Sequence, residues 1–223
     1  MFPLKHLWAL FQKEILLEWR QKNTFNGILL YTISTVFICY LSFRLKNNQL
    51  SPLTWTALFW IILLFTSVNA IAKSFVQEPE ERQHYYYTLV SPEAIITAKM
   101  LYNSLLMLLV AGISYTFYIF VMGNPVVNHW LFLSTVALGS VGLACSLTMI
   151  AAIAAKADNR TTLMAVLSFP VILPLLLLLI KLTKNAIDDL SWSVSESSLV
   201  TVGAINTIVV AVAYLLFGYI WRS

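Results

Sequence analysis

Six long apolar stretches without a single Asp, Glu, Lys or Arg constrain this chain more than anything else in it. They run Gly27–Phe43, Leu53–Ala72, Met100–Met122, Trp130–Ala155, Thr161–Ile180 and Leu199–Trp221. A helix crossing the hydrocarbon of a bilayer needs ~20 mostly apolar residues, with a range of about 17–25. Lipid offers no partner to a free backbone N–H or C=O, so such stretches close their hydrogen bonds internally, as helices. A transmembrane barrel would show short alternating segments instead, and the sequence has none. Only 11% of the residues are charged, against roughly 25% in soluble domains. The chain therefore reads as an all-α, polytopic membrane protein with six transmembrane helices. No segment between spans is long enough to fold alone, so residues 1–223 read as a single membrane domain.

The formal charge of +4 does not point to nucleic acid, because the basic residues sit at the ends of apolar runs rather than in one patch. A membrane explains them. With the N-terminus inside, the cytoplasmic segments hold Lys5, Lys13, Arg20, Lys22, Lys73, Arg82, Lys99, Lys156, Arg160 and Arg222. The outer segments hold Arg44, Lys46, Lys181 and Lys184. This excess predicts a multi-pass protein with both termini in the cytoplasm. The charges between Lys5 and Lys22 leave no apolar stretch of signal-peptide length before Gly27.

Residues 3–22 read as an amphipathic helix. Leu4, Leu7, Trp8, Phe11, Ile15 and Trp19 share one face at 100° per residue, with Lys13 and Arg20 opposite. Such a helix lies flat at the headgroups. Glu18 projects near the apolar stripe, which leaves two readings. Glu14 and Glu18 are solvated carboxylates, or one of them pairs with a cation of the following loop, Arg82 or Lys99.

That loop, Lys73–Lys99, is the most informative stretch outside the spans. Pro79 suits a first helical position, and Glu80 and Glu81 then fall in the first turn, where the helix dipole favours them. Ser91-Pro92-Glu93 is a second start signal, with Ser91 as N-cap. The next helix then runs straight into the third span, making the loop a helix–turn–helix elbow at the cytoplasmic face. Glu78, Glu80, Glu81, Arg82 and His84 precede Tyr85, Tyr86 and Tyr87. Tyr and Arg are enriched at protein interfaces. The elbow is either a docking helix for a cytoplasmic partner or a charged face anchored to lipid by its tyrosines.

Within the spans, Pro170 and Pro174 each remove an intrahelical hydrogen bond and can kink the fifth helix. A kink of that kind can line a pathway, although prolines are common in membrane helices. The fourth span is rich in small residues, among them Gly139, Ser140, Gly142 and Ala144, which suit close helix packing or a dimer seam. Asn69, Asn103 and Asn206 are expected to hydrogen-bond between helices. Cys39 and Cys145 are read as apolar packing residues. The polar stretch 187–198 is expected to form a short re-entrant or interfacial segment on the outer side.

No ionisable residue falls within the six stretches, and His6, His84 and His129 all lie outside them. Proton- and ion-coupled transporters place such groups at membrane depth. His129, beside Trp130, is read as a boundary residue rather than a haem ligand. The sequence has no GxxxxGK motif, no HExxH and no GxSxG, so the chain is not expected to be an enzyme. If it moves a solute, the energy must enter from outside, through the elbow.

This layout resembles the permease subunits of ABC-2-type exporters. More closely, the chain resembles the cytochrome c maturation protein B (CcmB) family, the haem exporter permeases. The residues that carry the resemblance are FQKEILLEWRQK, FVQEPEERQHYYYTLVSPEAIITAK and FPVILPLLLLLI. Leu89–Pro92 matches the turn after the acidic segment, and Ala98-Lys99 the start of the third span. The resemblance implies a bacterial inner-membrane protein acting with a cytoplasmic ABC ATPase, a second copy of itself and other cytochrome c maturation membrane proteins. Haem is then the transported or handled species rather than a resident cofactor. The ATPase-coupling residues are expected to be Glu78, Glu80, Glu81, Arg82, His84 and Tyr85, supported by Glu14, Glu18 and Lys99. Two other readings stay open: an ABC-2 permease for a lipid, glycan or drug, and a non-transport scaffold for haem-handling proteins.

Overall fold

The computed structural model describes residues 4–20, 22–44, 50–76, 90–155 and 159–220. Among these residues every regular element is an α-helix. The helices are α1 (Leu4–Arg20), α2 (Lys22–Arg44), α3 (Pro52–Val76), α4 (Pro92–Met122), α5 (His129–Ala154), α6 (Arg160–Ile187) and α7 (Trp192–Ile220). The last six are long and apolar enough to cross a membrane. Their outward faces are apolar as well. Leu30, Phe37, Phe65, Phe120, Phe169 and Leu215 are all exposed. Water does not tolerate an apolar perimeter of that extent, whereas lipid does.

The bundle is built around α5. In its apolar stretch 78% of the residues are buried, against 17% for α2 and 22% for α7. Small residues make that central place possible. A Cβ at Gly139 would run into the ring of Trp60 and lie 2.8 Å from Leu179 Cδ2. One at Gly142 would meet the side-chain oxygen of Asn206 and lie 3.0 Å from Leu175 Cδ2. The small face of α5 thus accepts α3, α6 and α7 of its own chain.

Neutral hydrogen bonds tie the helices together. Asn103 Nδ2 donates to Thr148 Oγ1 (2.8 Å), joining α4 to α5, and Asn206 Nδ2 donates to the Leu138 carbonyl (2.9 Å), joining α7 to α5. Trp60 Nε1 donates to Thr183 Oγ1 (2.9 Å). Asn69 departs from expectation, since it is exposed on the outside of α3. At the end of the bundle away from the elbow, Trp55, Phe59, Tyr115, Tyr118 and Phe132 form an aromatic cluster. Its tightest ring pair, Tyr115–Phe132, has centroids 4.6 Å apart. Tyr118 OH donates to the Trp55 carbonyl, and Trp55 Nε1 to the Gly123 carbonyl.

α4 starts at Pro92, as its start signal predicts, and runs straight into the third span, carrying Glu93 and the buried Lys99 on the same helix. Two other boundaries differ from the sequence reading, for one reason: polar residues on a helix need not end it. α6 passes through Lys181 and Lys184 to Ile187. Both lysines face outward while Leu179, Leu182 and Ala186 keep the buried stripe going. The segment 187–198 is not a separate re-entrant element. The chain reverses within residues 188–191, with Asp189 in the left-handed region (φ 52°), and α7 begins at Trp192. The buried stripe of α7 opens on Ser195 and Ser198 before Val202, so hydropathy alone misses its first turns.

Candidate functional site

Six expected coupling residues, Glu78, Glu80, Glu81, Arg82, His84 and Tyr85, lie outside the described residues. α3 runs up to Val76, and α4 starts at Pro92 behind Ser91. Ser91 has extended backbone, and its side chain makes no cap hydrogen bond. Its carbonyl instead accepts the amides of Ala94 and Ile95. The start signal therefore acts through Pro92 at the first helical position and through Glu93 in the first turn, not through a serine cap.

The first two turns of α4 are set deep in the bundle. Ala94, Ile95, Ile96, Ala98 and Lys99 are all buried. Lys99 is 3% exposed, and lysines are almost never this buried unless paired. Its ammonium lies 3.6 Å from Glu14 Oε1 on α1. The same oxygen lies 3.2 Å from Lys13 Nζ. One carboxylate thus serves two ammonium groups where α1 crosses the base of α4. Burying the Lys99 charge is tolerable because an opposite charge comes with it.

Of the expected pairs between Glu14 or Glu18 and Arg82 or Lys99, Glu14–Lys99 is present in the structure. Arg82 lies outside the described residues, and Glu18 stands on α1 one turn after Glu14, with its side chain outside them. Lys13 was missed. Adjacent residues do not face each other on a helix, and its wheel position put it opposite the apolar stripe. Its long stem nevertheless carries the ammonium to Glu14. Of the expected stripe, Phe11 and Ile15 pack on the core, joined by Leu10, which was not part of it, whereas Trp8 is exposed.

Another close approach occurs at the same end. A Cβ at Gly218, on α7, would lie 3.3 Å from Glu93 Oε1, so the glycine lets the carboxylate come against the α7 backbone. The end of the bundle next to the elbow therefore gathers α1, the start of α4 and the end of α7.

Pro170 and Pro174 sit inside α6, which is assigned as a single helix from Arg160 to Ile187. Both are exposed and share the outward face with Phe169 and Leu177. They do not point into the interior of this chain. His129 is exposed at the first position of α5, beside the exposed Trp130.

Compared with known proteins, a family model described as CcmB protein matches residues 5–218, nearly the whole chain. No curated protein matches the chain.

Proposed function

The chain belongs to the CcmB family, the haem-exporter permease component of a cytochrome c maturation ABC system, and on that premise we propose that it is the ATP-coupled membrane subunit, driven at its elbow by a partner ATPase. The observation that carries this reading is the continuity of α4. It runs unbroken for 31 residues from Pro92, directly behind the elbow, to Met122 at the far end of the bundle. At 1.5 Å per residue that is a rod of about 46 Å. Nothing breaks the helix along that length, so a displacement of the elbow is delivered along it rather than lost in a flexible joint.

In this reading Glu78, Glu80, Glu81 and Arg82 supply charges that a complementary groove of the ATPase recognises. His84 and Tyr85 supply the larger contact surface. ATP hydrolysis belongs to the ATPase, and the permease converts its stroke into release or export of haem for cytochrome c biogenesis. The positive-inside pattern supports an inner-membrane placement with both termini and the elbow in the cytoplasm. Two copies act together. Because Pro170 and Pro174 face out of the single chain, a pathway bordered by them would run between copies.

The test is to reverse charge at Glu80, Glu81 and Arg82 together in the assembled complex. ATP hydrolysis should persist while the yield of c-type cytochrome falls, with the permease still in the membrane. Unchanged complex formation and unchanged cytochrome yield reject the coupling role.

A further inference from the structure

α1 is followed directly in sequence by α2, yet it packs chiefly against α4. Leu10, Phe11 and Ile15 give that packing its apolar part. Beside them Glu14 meets Lys99, two turns into α4, at 3.6 Å. α2, in contrast, is the least buried of the six spans. Ile28 and Val36 are buried, and the hydroxyls of Thr32 and Thr66 meet at 3.2 Å. The first span is thus lightly held by the bundle, but its cytoplasmic extension is locked to the helix that leaves the elbow.

We propose that the Glu14–Lys99 pair is a latch that makes α1 the relay between the elbow and the first span. A shift imposed on the first turns of α4 moves Lys99. Lys99 carries Glu14 with it, and α1 passes the movement to α2. An ion pair suits this task better than apolar contact alone. Leu10, Phe11 and Ile15 could slide past α4 at little loss, because one apolar neighbour replaces another. A carboxylate that meets the buried Lys99 ammonium beside Lys13 has a favoured register, and fixing register is the best-attested use of buried charge. The inference rests on the coupling role proposed for the elbow.

Two readouts on the full-length chain separate the latch from that role. The first is the initial rate of chymotrypsin cleavage within α1, whose aromatic sites Trp8, Phe11 and Trp19 the charge swaps leave unchanged, in membrane vesicles without the ATPase. Glu14→Lys and Lys99→Glu alone should each raise this rate about tenfold or more by opening α1. The double swap Glu14→Lys/Lys99→Glu should return it to within about twofold of the native rate. The second readout is c-type cytochrome formed per ATP hydrolysed in the assembled complex. It should fall in each single variant and recover in the double swap. If the single variants are as chymotrypsin-resistant as the native chain, the latch is wrong whatever the elbow variants do. If they loosen α1 and leave cytochrome yield per ATP unchanged, the relay is wrong and α1 is only an anchor. If the elbow reversal has no effect while the latch variants still loosen α1, the elbow's coupling role fails and the relay fails with it, although the contact stands. Should the reversals not accumulate in the membrane, Glu14→Gln gives the same comparison, because it withdraws the Glu14 charge from Lys99 without adding repulsion.

Discussion

Replacing Gly139 by alanine is the sharpest test of the packing around α5. The new Cβ would fall inside the contact distance of the Trp60 ring and lie 2.8 Å from both Leu179 Cδ2 and Trp60 Cζ3. Neither neighbour can easily give way. Trp60 and Leu179 are both 0% exposed, and the indole is pinned by its hydrogen bond to Thr183. Overpacking a well-filled core costs about 1–3 kcal/mol, and two rigid neighbours put this site at the upper end. Alanine recovers ~1 kcal/mol through its higher helix propensity, leaving a net loss of about 2 kcal/mol. Gly203, on α7, is the internal control. A Cβ there meets nothing within 4 Å, so Gly203→Ala should be neutral or stabilising by up to ~1 kcal/mol. Thermal unfolding of the purified full-length chain in detergent gives both numbers. For a chain of this length about 2 kcal/mol corresponds to a midpoint lowered by roughly 4–8 °C. Trp60→Leu should suppress part of the Gly139→Ala loss, because it removes the ring that collides. Equal midpoints for Gly139→Ala and Gly203→Ala would refute the close approach of α3 to α5.

Thr148→Val removes the acceptor of the Asn103 amide inside the bundle. It should lower stability by about 0.6–1.7 kcal/mol, from the average to the largest measured interhelical hydrogen bond, read from the same unfolding midpoints. Glu14→Gln combined with Lys99→Met, which removes both charges and keeps side-chain length, should stay within ~1 kcal/mol of the native chain, because well-packed neutral residues replace buried ion pairs at little loss. A midpoint as low as that of Glu14→Gln alone would count against the pair. A cysteine at Asn124, in the exposed α4–α5 connection, should react with an impermeant thiol reagent in intact cells, and one at Gln83 only after the cells are opened. The reverse pattern overturns the orientation and with it the cytoplasmic elbow.

The spans were legible in the sequence because lipid enforces one answer: a charge-free run of that length must be a helix. Their ends were not, because a helix continues for as long as one face stays buried, whatever the other face carries. Lys181 and Lys184 look like a terminus in a hydropathy reading and are the solvent side of two further turns of α6. Ser195 and Ser198 look like a loop and are the buried face of α7. The Glu14–Lys99 pair was legible as a shared location, since both residues fall at the same end of the bundle. Lys13 was not, because a wheel projection fixes the Cβ direction and not the reach of a four-carbon stem. The interhelical role of asparagine was legible in kind but not position by position. Asn103 and Asn206 face neighbours, whereas Asn69 does not, and only the rotation of α3 decides that.

The bundle divides mechanically into a stiff part and a loose one. α5, with Gly139 and Gly142 pressed against α3, α6 and α7, has the close-packed character that transmits strain instead of absorbing it. α2 keeps most of its surface outside that body. α4 touches both parts. Asn103, about three turns from the start of the helix, ties it to the stiff centre through Thr148, and Lys99, one turn nearer that start, ties it to α1 through Glu14. A rod held at one point along its length and pushed at its base pivots. On the coupling role proposed for the elbow, the Asn103–Thr148 contact is then the fulcrum and the latch lies on the arm that moves. Thr148→Val should accordingly lower cytochrome yield per ATP more than its small loss of stability explains, whereas Thr183→Val, which removes a hydrogen bond of similar length from the α3–α6 contact, should lower stability alone. Equal yields per ATP from the two variants would show that α4 moves as a whole and does not pivot.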